Sequence, residues 1–171
     1  EIGGCDAVDL ARRFGTPLYV LDERAVRDAC RAYKRSFSER LGNVEICYAG
    51  KALLTTAVCR IMEQEDLGLD VASAGELYTA LQAGFPTSRI KMHGNYKSDL
   101  EIGMALDAGV GRIVIDSLSE IGRVSQAAEA RGKVADVLIR VTPGIKVQTH
   151  SYIATGHLDS KFGLSMASSA A

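Results

Sequence analysis

The chain has 171 residues, of which 47% are hydrophobic and 24% charged, so it can bury a core and lacks the low-hydrophobicity, high-charge balance of disorder. Lys plus Arg number 20 against 21 Asp plus Glu, a formal net charge of -1, which gives no electrostatic footprint for nucleic acid or for an anionic membrane. No apolar run approaches the roughly 20 residues of a membrane span, and the first residues lack the basic region and apolar stretch of a signal peptide, so a cytoplasmic location is expected.

In chain order, residues 17–21 (Pro-Leu-Tyr-Val-Leu) read as a strand, and Asp22 can cap a helix from 23 to about 40. That strand stands outside the repeat that follows. Residues 1–22 are therefore expected to contribute to a second, mainly β domain, and residues 23–171 to form the main one.

Five short apolar runs then read as strands at 44–49, 67–71, 89–92, 112–115 and 137–141, spaced as one strand plus one helix. Between the first two, Leu54, Val58, Ile61 and Met62 fall on one face of a helix starting near Leu53. Ser73-x-x-Glu76, Ser98-x-x-Glu101 and Ser117-x-x-Glu120 each follow a strand directly and read as capping boxes that start the next three helices. Apolar strands alternating with helices imply an α/β fold with a parallel sheet, a closed barrel being preferred over a doubly wound sheet. A TIM-type (β/α)8 barrel needs eight units and about 250 residues, so some five units fall short of closure. The open edge is expected to leave the isolated chain unstable or prone to aggregate.

In such barrels the active site forms at the carboxyl ends of the strands. Lys51, Asp70 with Ser73, His93 with Asn95, Asp116, and Arg140 with Thr142 all follow strands and are expected to converge on one mouth. Lys51 reads either as a solvated loop lysine or as an amine partly desolvated at the mouth, its pKa lowered enough to attack a carbonyl cofactor. Asp70 is a turn residue or its electrostatic partner, and Glu76 is accounted for by its cap. His93 fits a hydrogen-bonded loop histidine before a catalyst, and Arg140 fits a pairing with a buried carboxylate before one with an anionic ligand. His150 and His157 lie in 146–161, a stretch of little periodicity that reads as a functional loop or a partner contact. Cys5, Cys30, Cys47 and Cys59 show no C-x-x-C pair and no His at metal spacing, so they read as reduced packing residues rather than metal ligands.

Particular strings add a resemblance. Phe14-Gly15-Thr16-Pro17-Leu18-Tyr19-Val20, Tyr48-Ala49-Gly50-Lys51-Ala52 and Asp70-Val71-Ala72-Ser73-Ala74-Gly75-Glu76-Leu77 resemble the alanine-racemase-like decarboxylases that bind pyridoxal 5'-phosphate (PLP). His93-Gly94-Asn95-Tyr96-Lys97-Ser98 and residues 152–163 (YIATGHLDSKFG) are similar to the diaminopimelate decarboxylase family in particular. The similarity covers nearly the whole chain, with five motifs in the family's order. It implies decarboxylation of meso-2,6-diaminopimelate to L-lysine and carbon dioxide, with Lys51 as the lysine that holds the cofactor covalently. Asp70 and Arg140 match charged positions near the cofactor, His93 falls in the neighbouring loop, and residues 159–163 match a segment near the interface of a homodimer with shared active sites.

Two departures are local: Tyr96 stands where the family more often has Asn, and Thr142 precedes Pro143 where Asn is common. The larger one is absence. The family's ring-stacking histidine, phosphate loop, pyridine-nitrogen carboxylate, substrate-binding arginine and partner-subunit cysteine fall beyond residue 171, so the piece alone is expected to be inactive. A relative acting on arginine, ornithine or carboxynorspermidine, or a non-catalytic PLP-binding barrel, would share Lys51 and the strand-helix repeat.

Overall fold

The computed structural model describes residues 1–143 and 162–165; the stretch with His150 and His157 lies outside them. Its centre is a five-stranded sheet in the order β1-β2-β3-β4-β5, with every neighbouring pair parallel. The strands are β1 (Cys47–Ala49), β2 (Gly68–Val71), β3 (Ile90–Met92), β4 (Arg112–Ile115) and β5 (Val137–Ile139). The helices between them are α3 (Thr56–Gln64), α4 (Ala74–Gln82), α5 (Asp99–Ala108) and α6 (Leu118–Glu129). Two helices precede the sheet, α1 (Ala7–Phe14) and α2 (Glu23–Leu41), and two short strands follow it, β6 (Val141–Thr142) and β7 (Leu164–Ser165), which pair in parallel. The α/β strand-helix repeat is therefore present as read, with four strands trimmed to their hydrogen-bonded centres and β4 spanning the 112–115 that was read.

Strand side chains alternate between faces, and the alternation explains the core. Leu69 and Val71, Ile90 and Met92, and Ile113 and Ile115 point to one face, where all are 2% exposed or less. Met62, Leu77, Ile102 and Val124 from α3 to α6 cover them. Each such side chain, once fully buried, contributes roughly 1.5–3 kcal/mol. The opposite face carries a register row of Ala49, Asp70, Lys91 and Arg112, so it is polar where a finished parallel sheet would be packed. β5 has no outer neighbour among the described residues, and Val137, Leu138 and Ile139 are all exposed.

α2 starts at its Asp22 cap, as read, but docks by charge more than by apolar contact, since Cys30 is its one buried residue. Arg27 and Arg31 both donate to Glu65, at the end of α3, over 2.8–2.9 Å, and Lys34 reaches Asp66 at 3.0 Å. The hydrogen bonds from Arg31 and Arg27 hold the Glu65 carboxyl below its ordinary value.

Several expectations shift. Residues 17–21 form no ladder among the described residues, and Leu18, Tyr19, Val20 and Leu21 are exposed. α1 was not foreseen; Asp6 caps it by accepting from the Val8 and Asp9 amides. α3 begins at Thr56 rather than near Leu53, because residues 50–52 form a short 3-10 turn and the Thr55 side chain supplies the cap. Of the three expected capping boxes only Ser98/Glu101 closes on itself. Ser73 accepts the Glu76 amide, but Glu76 turns to the Ala72 amide at 2.6 Å. Ser117 makes no cap bond, and Glu120 turns to the Asp116 amide at 2.9 Å. Among the described residues no helix is long and apolar enough to cross a membrane, and the four cysteines are free.

In the whole protein, Ser98→Ala is expected to cost about 1 kcal/mol in urea unfolding, while Ser117→Ala should stay within about 0.5 kcal/mol. Equal costs would mean that the two serines do the same work. Because the folded pKa of Glu65 is lowered, its contribution is full above the ordinary value of 4.5 and is lost as pH falls through the folded value. Amide protection in α2, corrected for the intrinsic pH dependence of exchange, should fall as pH drops below about 4.5, and Glu65→Gln should remove most of that dependence.

Candidate active site

The carboxyl ends of the strands surround a cavity of about 570 Å³, within the roughly 300–1,000 Å³ of ligand pockets. Lys51, Asp70, His93, Asn95 and Arg140 all line it, as expected from the sequence. Asp116 does not; it sits beneath, 5% exposed, and holds lining residues from behind. Ser73 is used as the α4 cap, and Thr142 is buried, its hydroxyl donating to the Phe162 carbonyl.

Lys51 stands in the 3-10 turn that follows β1. Gly50 beside it has to be small, because a Cβ there would lie 2.9 Å from the Asp70 carbonyl oxygen. Of the two readings of Lys51, the structure shows the solvated one: the side chain is exposed. Among the described residues its amine has no ion-pair or hydrogen-bond partner. The other lysines nearby are engaged. Lys91 pairs with Glu45 at 2.6 Å and donates to Cys47 Sγ at 3.1 Å. Desolvation opposes its charge, but Glu45 and Cys47 outweigh it and raise its pKa, while burial pushes the Cys47 thiol up. Lys97, which sequence reasoning passed over, is 1% exposed and bonded to Glu120.

Asp70 sits opposite Ala49 in the ladder, one strand from Lys51. Its Oδ1 lies 3.4 Å from His93 Nε2, an ion-pair distance without hydrogen-bond direction, so this buried oxygen has no donor among the described residues. His93 itself is fixed by its backbone, whose amide donates to the Val71 carbonyl at 2.7 Å.

Arg140 follows β5 and meets the buried carboxylate anticipated for it: Nη1 is 3.2 Å from Asp116 Oδ1. Asp116 Oδ2 accepts the Gly163 amide at 2.9 Å, and the guanidinium lies 4.4 Å from the Phe162 ring centroid. Phe162 joins the lining in this way. Gly163 has φ +73, and a Cβ there would be 2.9 Å from the Arg140 carbonyl oxygen, so the close approach of β7 to β6 requires glycine.

A family profile described as pyridoxal-dependent decarboxylase, pyridoxal binding domain, matches residues 23–171. The chain belongs to this family. A diaminopimelate decarboxylase of Bacillus methanolicus is 46% identical over 166 residues, 97% of this chain and 38% of that protein. The crystal structure of diaminopimelate decarboxylase from Helicobacter pylori complexed with L-lysine matches at a TM-score of 0.88 with 32% identity, over 96% of this chain and 41% of that one. A lysine/ornithine decarboxylase from Vibrio vulnificus complexed with cadaverine matches at 0.65 with 27% identity, over 79% of this chain and 35% of that one. The chain thus spans about two fifths of the length of its relatives.

Pyridoxal phosphate is the cofactor of this family, and the residues here fit it. An aldehyde needs a free amine, and Lys51 has no partner among the described residues; a polar group at the same mouth can meet the buried Asp70 oxygen, which has no donor among them.

Asp116→Ala, which strands both the Arg140 guanidinium and the Gly163 amide, is expected to cost about 1–3 kcal/mol in the whole protein. Asp116→Asn, which can still accept from Gly163, should cost less. An alanine variant as stable as the parent would show that the clamp holds nothing.

Proposed function

We propose that the whole protein decarboxylates meso-2,6-diaminopimelate to L-lysine and carbon dioxide at this cavity, using pyridoxal phosphate held by Lys51. The observation that carries the reading is the Lys51 amine, without a partner among the described residues, on the rim of a cavity that Asp70, His93 and Arg140 also line. The greater likeness to the diaminopimelate decarboxylases than to the lysine/ornithine decarboxylase supports the substrate.

Bound pyridoxal phosphate supplies the electron sink that accepts the bond left by the departing carboxylate. Lys51 would hold the group through its Nζ, and the same amine could carry a proton. Asp70 and His93 share one wall, the carboxylate lying 3.4 Å from Nε2. Arg140 places a positive charge on another wall, its direction set by Asp116 from behind and by the Phe162 ring. Phe162 adds apolar lining. The whole protein is proposed to work in the cytoplasm as a homodimer whose partner completes each active site.

Lys51→Ala in the whole protein is expected to abolish the covalent attachment of the cofactor and nearly all turnover without unfolding the domain. Wild-type protein should release carbon dioxide from meso-2,6-diaminopimelate and not from ornithine or arginine. Release from ornithine alone would replace the substrate assignment, and normal turnover by the Lys51→Ala variant would overturn the site.

A further inference from the structure

Lys97 is the largest fully buried side chain among the described residues, although Asn95 and Tyr96 beside it are exposed. Its ammonium makes three bonds, the number it can donate: to the Gly94 carbonyl at 2.9 Å, the Val114 carbonyl at 2.6 Å and Glu120 Oε2 at 2.9 Å. The same carboxylate oxygen accepts the Asp116 amide at 2.9 Å, and Asp116 in turn holds Arg140 and Gly163. One chain of bonds therefore runs from the turn after β3, through the end of β4, to the residue that follows β5.

Stability alone is a weak reason for such a pair. Both ions lose their hydration on burial, and an apolar pair of similar volume often serves stability as well or better. What the ion pair supplies is direction, because charge-assisted bonds in a dry setting hold their partners to a narrow geometry. The partners here are backbone groups of the turns that carry His93 and Asp116. We propose that Lys97 is a positioning residue of the cavity: its ammonium locks the turn after β3 to the turn after β4 and so sets where His93 and Arg140 stand across the site. This rests on the reading of the cavity as the cofactor site.

The test uses the whole protein with Lys97→Met and Glu120→Gln together, which replaces the pair by neutral groups of similar size while leaving an oxygen for the Asp116 amide. A second variant, Glu120→Asp, keeps both charges but draws the carboxylate back by one methylene. In both, the expected result is an unfolding midpoint close to that of the parent, with faster amide hydrogen exchange at residues 93–96 and 116–117 in cofactor-free protein. Pyridoxal phosphate should bind at least about tenfold more weakly, equivalent to about 1.4 kcal/mol, and kcat should fall while KM moves less. Parental exchange and parental cofactor affinity in either folded variant would overturn the proposal. So would failure of both to fold, which would make the pair structural. Since the exchange is read without cofactor, it judges Lys97 even if the wild-type protein takes up no pyridoxal phosphate, a result that would defeat the functional reading instead.

Discussion

A parallel sheet brings the carboxyl end of every strand, and so the amino end of every following helix, to one edge, where amides without helical partners collect. At this edge three glutamates answer them. Glu76 accepts the Ala72 amide, Glu101 accepts the amides of Ser98 and Ala74, and Glu120 accepts the Asp116 amide. Each glutamate stands in the first turn of its helix, where the macrodipole favours a negative charge. Desolvation works against the Glu101 charge, but the amides and the Ser98 hydroxyl prevail and its pKa is lowered. By reaching one turn back or across to the neighbouring loop, these carboxylates hold the turns that carry the cavity.

The same edge sorts its lysines. Lys91 is occupied by Glu45 and Cys47, and Lys97 by Glu120 and two carbonyls. Lys51, on the rim and without a partner among the described residues, is left as the amine available for chemistry. The division follows from position along the chain. Lys91 lies within a strand and pairs across the polar face of the sheet, Lys97 precedes a helix cap and turns inward, and Lys51 sits in a tight turn where Gly50 lets the backbone pass close to Asp70.

Much of the fold was legible because the periods change cleanly. The apolar runs around Leu69, Ile90 and Ile113 marked strands, and the spacing of Val58, Ile61 and Met62 marked a helix. The convergence of Lys51, Asp70, His93 and Arg140 followed from the rule that such strands gather their exits, and the pairing of Arg140 with a buried carboxylate was anticipated without its partner being named. What stayed hidden depends on tertiary context. Lysine is almost never fully buried, so nothing in His93-Gly94-Asn95-Tyr96-Lys97 announces that Lys97 turns inward. The Ser117-x-x-Glu120 spacing matched a capping box, yet a buried ammonium and the Asp116 amide competed successfully for the glutamate. Residues 17–21 have the composition of a strand, but a strand needs a partner, and none is present among the described residues. The missed helix α1 had a readable signal in Asp6, whose side chain caps it.

The central claim is that Lys51, and not the lysines that surround it, carries the cofactor. Borohydride reduction of the whole protein in the presence of pyridoxal phosphate, followed by peptide mapping, tests it most directly. The account predicts a pyridoxyl group on Lys51 alone. A label on Lys91 or Lys97 instead, with Lys51 unmodified, would contradict it.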